Sequence, residues 1–141
     1  MVEGFAHFFA AKTFNWQSES NCTFPYYKEF VTADNIVHSP PYAIDCDAQT
    51  QWMQSYCVQS GDGVEMDWMQ FFWSLTRPAA GATTIPDLDD IYFRACNNAE
   101  CDGSKEVDYE DVRTAAQGHF QGSLQKYDYF VAKADQHGVD H

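Results

Sequence analysis

Apolar residues along this chain fall mostly at helical spacing. Phe5, Phe8 and Phe9 share one face of residues 2–12, and Lys12 places a cation on the last turn, so a first helix is expected there. Residues 15–25 are mostly polar, carry Cys22 and end at Pro25, the composition of a loop. Tyr26, Tyr27, Phe30 and Val31 fall on one face of a short second helix over 26–34, and His38-Ser39-Pro40-Pro41 then breaks regular structure. Asp47 has the chemistry of an N-cap for a helix between Cys46 and Cys57, in which Trp52/Tyr56 and Met53/Cys57 are i,i+4 pairs.

The stretch 64–76 is apolar nearly all round. Met66, Met69 and Trp73 lie on one side and Trp68, Phe71, Phe72 and Leu75 on the other, leaving Asp67, Gln70 and Ser74 as a polar stripe. A helix of that kind belongs at the centre of a domain or under a partner, and this one stops before Pro78. Residues 77–86 read as a linker. Leu88, Ile91, Tyr92 and Ala95 then mark a helix from Asp87, 97–105 a polar loop, 108–117 a helix using Val112, Ala115 and Ala116, and 123–135 a last helix carrying Tyr127, Phe130 and Ala134. The tail from His137 is expected to fray. No segment sustains period-two alternation. The expected fold is all-α, a single domain of five to six helices.

One passage occurs twice. Asp47, Asp62-Gly63, Glu65, Asp67-Trp68 and Phe71 return as Asp87, Asp102-Gly103, Glu106, Asp108-Tyr109 and Val112, at an offset of 40 residues up to the Asp-Gly pair and 41 after it. Such a period marks one supersecondary unit used twice, because a single unit cannot bury its own apolar face. The units span 47–76 and 87–118, and with their joining linker form the centre of the domain.

Composition narrows the picture. The chain has 141 residues, eleven of them Phe, eight Tyr and four Trp, so rings, Val, Ile, Ala and Met must build the core. Twenty-one acids against eight bases give a formal charge of −13, which repels phosphate and favours cations or basic partners over nucleic acid. No stretch approaches the ~20 apolar residues of a membrane span. The start from Met1 lacks the basic residues and apolar run of a signal peptide, whereas five cysteines favour an extracytoplasmic setting if a leader has been removed.

The cysteines contain no C-x-x-C pair. A helix between Cys46 and Cys57 would hold them roughly 16 Å apart, too far to bridge, so each needs another partner, and Cys22 is the obvious choice for one. Cys96 and Cys101 flank the start of the acidic loop closely enough for a local disulfide.

The second unit matches a ligand pattern. Counted from Glu100, the odd positions of its loop are Glu100, Asp102, Ser104, Glu106 and Asp108, with Val107 at position 8 and Asp111 at position 12. Residues 47–118 thus resemble a degenerate EF-hand pair. The resemblance implies weak Ca²⁺ binding at Glu100, Asp102, Ser104, Glu106, Asp108 and Asp111, at the ~10⁻⁴–10⁻³ M end of the affinity range. The departures are Glu100 at position 1, Lys105 where a glycine makes the sharp turn, and the short Asp111 at position 12. With Gly103 instead at position 6, Asn98, Glu100 and Asp102 become the first three ligands. The first loop offers Gln59, Gly61, Gly63 and Gln70 at positions 1, 3, 5 and 12 and should bind no ion. The simpler reading of the second loop's acids is helix capping and a solvated face, and the sequence favours it.

Other chemistry is sparse. His137 and His141 are an i,i+4 pair on a tail broken by Gly138, and His7, His38 and His119 are scattered. There is no G-x-S-x-G, no Cys–His motif in a known context and no glycine-rich phosphate loop. The expected function is a non-enzymatic helical interaction module. Trp52, Met53, Met66, Met69, Phe72 and Trp73 would form either core, the favoured reading, or a groove for a partner peptide. The alternative is an acidic inhibitor or immunity-type protein that blocks a basic partner through surface charge. Both take a protein or basic peptide, with neither nucleic acid nor membrane, and leave the oligomeric state open.

Overall fold

The structure, a computed structural model, describes residues 2–15, 22–26, 30–32, 35–39, 42–46, 53–55, 65–98 and 107–139. Helices dominate it, as the spacing predicts: α1 (Val2–Phe14), α2 (Glu65–Leu75), α3 (Ile85–Asn98), α4 (Tyr109–His119) and α5 (Leu124–His137). The fold is all-α in character.

The central helix is α2. Trp68, Met69, Phe71, Phe72, Trp73 and Leu75 are all buried, and so are Asp67, Gln70 and Ser74, so no side of this helix faces solvent beyond its first turn. Fully burying one large apolar side chain contributes roughly 1.5–3 kcal/mol, so these six make α2 the main source of the core. Phe5, Phe8 and Ala11 of α1 pack on one side of α2, and Phe130 of α5 meets Phe71 edge-on at 5.1 Å on another. The α1–α2 approach depends on Gly4. A Cβ there would stand 2.6 Å from the Glu65 carbonyl oxygen and closer still to the Trp68 Cβ.

The helix ends follow from local chemistry. Thr84 and Asp87 exchange reciprocal bonds, Thr84 N–H to Asp87 Oδ2 at 3.1 Å and Asp87 N–H to Thr84 Oγ1 at 3.2 Å. With Pro86 in the first turn, that cap starts α3 ahead of Asp87, inside the expected linker. At its C-terminus α5 ends on Gly138 in the left-handed region, φ 62°, and the Val139 N–H donates to the Ala134 carbonyl at 3.2 Å. Val139 itself is buried, the hydrophobic contact of a Schellman-type stop. The described part of the tail is therefore packed, which corrects the expectation that it frays from His137.

Short strands replace two expected helices. β1 (Thr23–Tyr26), β2 (Phe30–Thr32), β3 (Val37–His38), β4 (Tyr42–Asp45) and β5 (Met53–Ser55) form two antiparallel sheets, β1 with β4 and the three-stranded β3-β2-β5. Segment 26–34, expected as helix, contains the end of β1 and all of β2. The stretch between Cys46 and Cys57, also expected as helix, contains β5, with Thr32 opposite Met53 and Phe30 opposite Ser55. Aromatic and β-branched residues such as Tyr26, Phe30 and Val31 suit a pleated backbone, and a helix this short is marginal alone. Pairing on both edges of β2 decides the outcome. Strands of two to four residues are too short to display period two.

The consequence for the repeat is asymmetric. The first unit is extended at Met53–Ser55, where an entering helix was expected, while the second has α3 and α4 packed together on either side of its loop. Cys22 and Cys46 form a disulfide at the end of the β1–β4 ladder, next to the Thr23–Asp45 pair, with Cys46 N–H also donating to the Cys22 carbonyl at 3.0 Å. Cys22 is thus the partner of Cys46. Cys96 is a buried free thiol, which removes the expected Cys96–Cys101 bridge.

Candidate functional site

Most of the loop expected to hold Ca²⁺ lies outside the described residues: Glu100, Asp102, Ser104 and Glu106. Its last two acids are described, and they form a reciprocal cap. The Asp111 N–H donates to Asp108 Oδ1 at 3.1 Å, and the Asp108 N–H donates to Asp111 Oδ2 at 3.3 Å. Asp108 is the N-cap of α4, with Asp111 as the third helical residue. Val107 just before them is buried in the core. These are the bonds expected of acids at a helix N-terminus, where the orphan N–H groups need acceptors. Among the described residues no group of three or more His, Cys, Asp or Glu is arranged to hold a metal ion.

The polar stripe of α2 leads to a second place. Gln70 donates through Nε2 to the Asp45 carbonyl at 2.8 Å and thereby ties α2 to the end of β4. One turn on, Ser74 Oγ lies 2.7 Å from Nε2 of His137, the last residue of α5. His137 is fully buried, and its Nδ1 has no hydrogen-bond partner among the described residues. Burial, with a smaller contribution from Lys133, pushes its pKa down to about 4, so the ring is neutral at neutral pH. A serine hydroxyl against a neutral imidazole is the outline of a nucleophile and its base. Here both side chains are buried, no carboxylate among the described residues bonds to the far ring nitrogen, and the Ser74 carbonyl is taken by the Tyr129 hydroxyl at 3.2 Å. A substrate cannot reach that hydroxyl in this arrangement. The pair works as a polar tie between α2 and α5.

A third cluster sits where α3, α4 and α5 meet. His119, the last residue of α4, places Nδ1 2.7 Å from Asp90 Oδ2 and Nε2 2.9 Å from Asp87 Oδ1. Lys126 of α5 donates to Asp87 Oδ2 at 3.1 Å. Partial burial raises the Asp87 pKa, but the bonds from His119, Thr84 and Lys126 outweigh it and hold the carboxyl well below its ordinary range. Asp90 is also lowered, chiefly by the Arg94 guanidinium at 2.7 Å. A ring flanked by carboxylates on both nitrogens joins the start of α3 to the α4–α5 turn, and its electrostatics are those of a structural ion network.

Neither constellation is legible as a motif. Ser74 and His137 stand 63 residues apart, and the one local signal is the polar stripe on an otherwise apolar helix, which requires a buried partner. His119 reads in sequence as a lone histidine. No family model, curated protein or solved structure matches the chain.

Proposed function

We propose that this chain is a non-enzymatic helical interaction module whose acidic surface receives a basic protein or peptide. The carrying observation is how its charges are matched. Arg94 pairs with Asp90, Arg113 with Glu110 and Lys126 with Asp87, while Lys133 donates to the Gln136 amide. Asp89 of α3 and Asp128 and Asp135 of α5 have no such partner among the described residues, and the last two are exposed. Among the described residues Arg94, Arg113 and Lys126 are thus neutralised within the molecule, while Asp128 and Asp135 face outward uncompensated, in keeping with the net −13.

The burial of Met69, Phe72 and Trp73 argues against a methionine- and aromatic-lined peptide groove along α2. Charge on the outer faces of α3 and α5 is what remains for recognition. Interactions of this kind steer encounter and weaken as salt screens them.

The test is fluorescence anisotropy with a labelled oligo-lysine and an oligo-glutamate control, titrated with the protein from ~50 to ~200 mM salt, across which exposed charges are progressively screened. Binding of the cationic peptide alone, weakening with salt and with Asp128→Asn/Asp135→Asn, supports the module. Equal binding of both peptides, or none at low salt, refutes it.

A further inference from the structure

Four rings form a continuous row across α1 and α3. Phe9 meets Phe5 edge-on at 5.0 Å, Phe5 stacks on Tyr92 at 3.9 Å with 3° between planes, and Tyr92 meets Phe93 edge-on at 5.7 Å. The middle of the row is packed, with Phe5 only 7% exposed. Its ends are open: Phe9 is 37% and Phe93 62% exposed. The exposed residues described on α1 are Glu3, Ala6, Phe9 and Thr13, so Ala6 and Phe9 form a small apolar stretch between an acid and a hydroxyl. An exposed ring at each end of a packed aromatic row leaves apolar surface without a partner. The core accounts for Phe5 and Phe8 and leaves Phe9 and Phe93 unexplained.

Charge selects the occupant. The side chain of Asp89, one turn before Phe93 on α3, makes no hydrogen bond or ion pair among the described residues, whereas Asp90 and Arg94 beside it neutralise each other. A second copy of the chain would bring another −13 to the same face. An apolar face with an open carboxylate at its rim, on a molecule of that charge, fits a ligand both cationic and apolar. The geometry points to a basic amphipathic helix docking across α1 and α3. Its apolar ridge packs on Phe9 and Phe93 at the two ends of the row, and its Lys or Arg side chains reach Asp89. This deepens the proposed reading and rests on it: the acidic surface steers a basic partner, and the aromatic row anchors it.

The experiment uses the full chain and a labelled Leu/Lys amphipathic helix peptide, compared with oligo-lysine of equal charge and a Leu/Glu peptide of the same apolar pattern. Binding is read by anisotropy for the wild type, Phe9→Ala/Phe93→Ala and Asp89→Asn. Phe93 stands mostly outside the core and Phe9 at its edge, and circular dichroism checks that the variants stay folded. The expected result is tighter binding of the Leu/Lys peptide than of oligo-lysine, lost by about tenfold or more in the double variant, as for central aromatic anchors, and by less in Asp89→Asn. Unchanged affinity in the double variant overturns the docking face but leaves the acidic module standing. Failure of both cationic peptides to bind the wild type overturns both. A dimer in sedimentation that Phe93→Ala disperses assigns the face to a second copy and overturns the basic helix as its occupant.

Discussion

Acidification should loosen this protein in a window set by one buried histidine. In the folded state His137 has its pKa pushed down from 6.5 to about 4 by burial, with Lys133 adding to the effect. Unfolded, the ring returns to its ordinary value. The folded protein therefore binds this proton more weakly than the unfolded chain does. The contribution of a neutral, buried His137 is complete above about pH 6.5 and is lost progressively as pH falls toward 4. Below that both states carry the proton and no further loss accrues from this group. A displacement of that size corresponds to roughly 3 kcal/mol across the window. Against a total stability of ~5–15 kcal/mol for a typical domain, this is a large share.

Urea unfolding from pH 7 down to 4, for wild type and His137→Gln, isolates the effect. The glutamine keeps a neutral polar group near Ser74 and removes the titration, while the other histidines and the carboxylates cancel in the difference. The wild type should lose roughly 3 kcal/mol more than the variant over that range. The depressed carboxyl of Asp87 does not confuse the result, because its contribution is present above 3.8 and lost only as pH falls below it. A direct readout is the NMR titration of the His137 ring, expected with a midpoint near 4. Identical pH slopes in the two proteins, or a midpoint near 6.5, would refute the reasoning. The partner makes a companion test: Ser74→Ala leaves His137 Nε2 buried without an acceptor or donor and should cost about 1–3 kcal/mol at neutral pH.

Gly4→Ala should destabilise the domain by about 1–3 kcal/mol, because the new Cβ meets α2 backbone and Trp68 with no room to shift, whereas Gly118→Ala in α4, with nothing within 4 Å, should stabilise by about 0.5–1 kcal/mol; thermal melts read both. Reducing the Cys22–Cys46 bridge, or Cys22→Ala/Cys46→Ala, should lower stability by about 3 kcal/mol, the chain-entropy value for a loop of 24 residues, in denaturant titrations with and without reductant. Asp108→Ala should cost about 1 kcal/mol through the lost cap of α4. Melts in ~5 mM EDTA and ~10 mM Ca²⁺ test the second loop: with Asp108 and Asp111 held in the α4 cap they should coincide, and a rise of several degrees in calcium would assign the loop as an ion site.

The helical body was legible because its signals are local. Phe5 and Phe8, the nearly all-apolar stretch from Met66 to Leu75, and the periodic residues from Leu88 onward each state their burial within a few turns, and α2 is as central as its composition requires. The strands were not, because nothing within 26–34 or between Cys46 and Cys57 distinguishes an aromatic helix face from a pleated one. The deciding partner of β2 at Met53–Ser55 is more than twenty residues away. Helix ends were legible to within a few residues, and the misses have specific causes. Thr84 caps α3 ahead of Asp87, and Gly138 stops α5 by a turn that packs Val139 instead of releasing the tail.

The same contrast separates the two kinds of polar residue in this chain. Acids in the acidic loop invite a ligand reading because their spacing is regular, yet Asp108 and Asp111 answer to α4's own N–H groups. Asp67, Gln70 and Ser74 look like the solvent stripe of an amphipathic helix, yet all three are buried. A stripe so narrow cannot keep a helix at the surface when six large apolar side chains surround it, so its polar groups must be matched from elsewhere in the fold. The Asp45 carbonyl matches the Gln70 amide N–H and the His137 ring matches the Ser74 hydroxyl, which fixes both β4 and the end of α5 against the central helix. Two polar contacts distant in sequence thus set where the strand layer and the last helix sit. They also concentrate acid sensitivity in His137, because protonating it leaves a cation buried among the rings of the core.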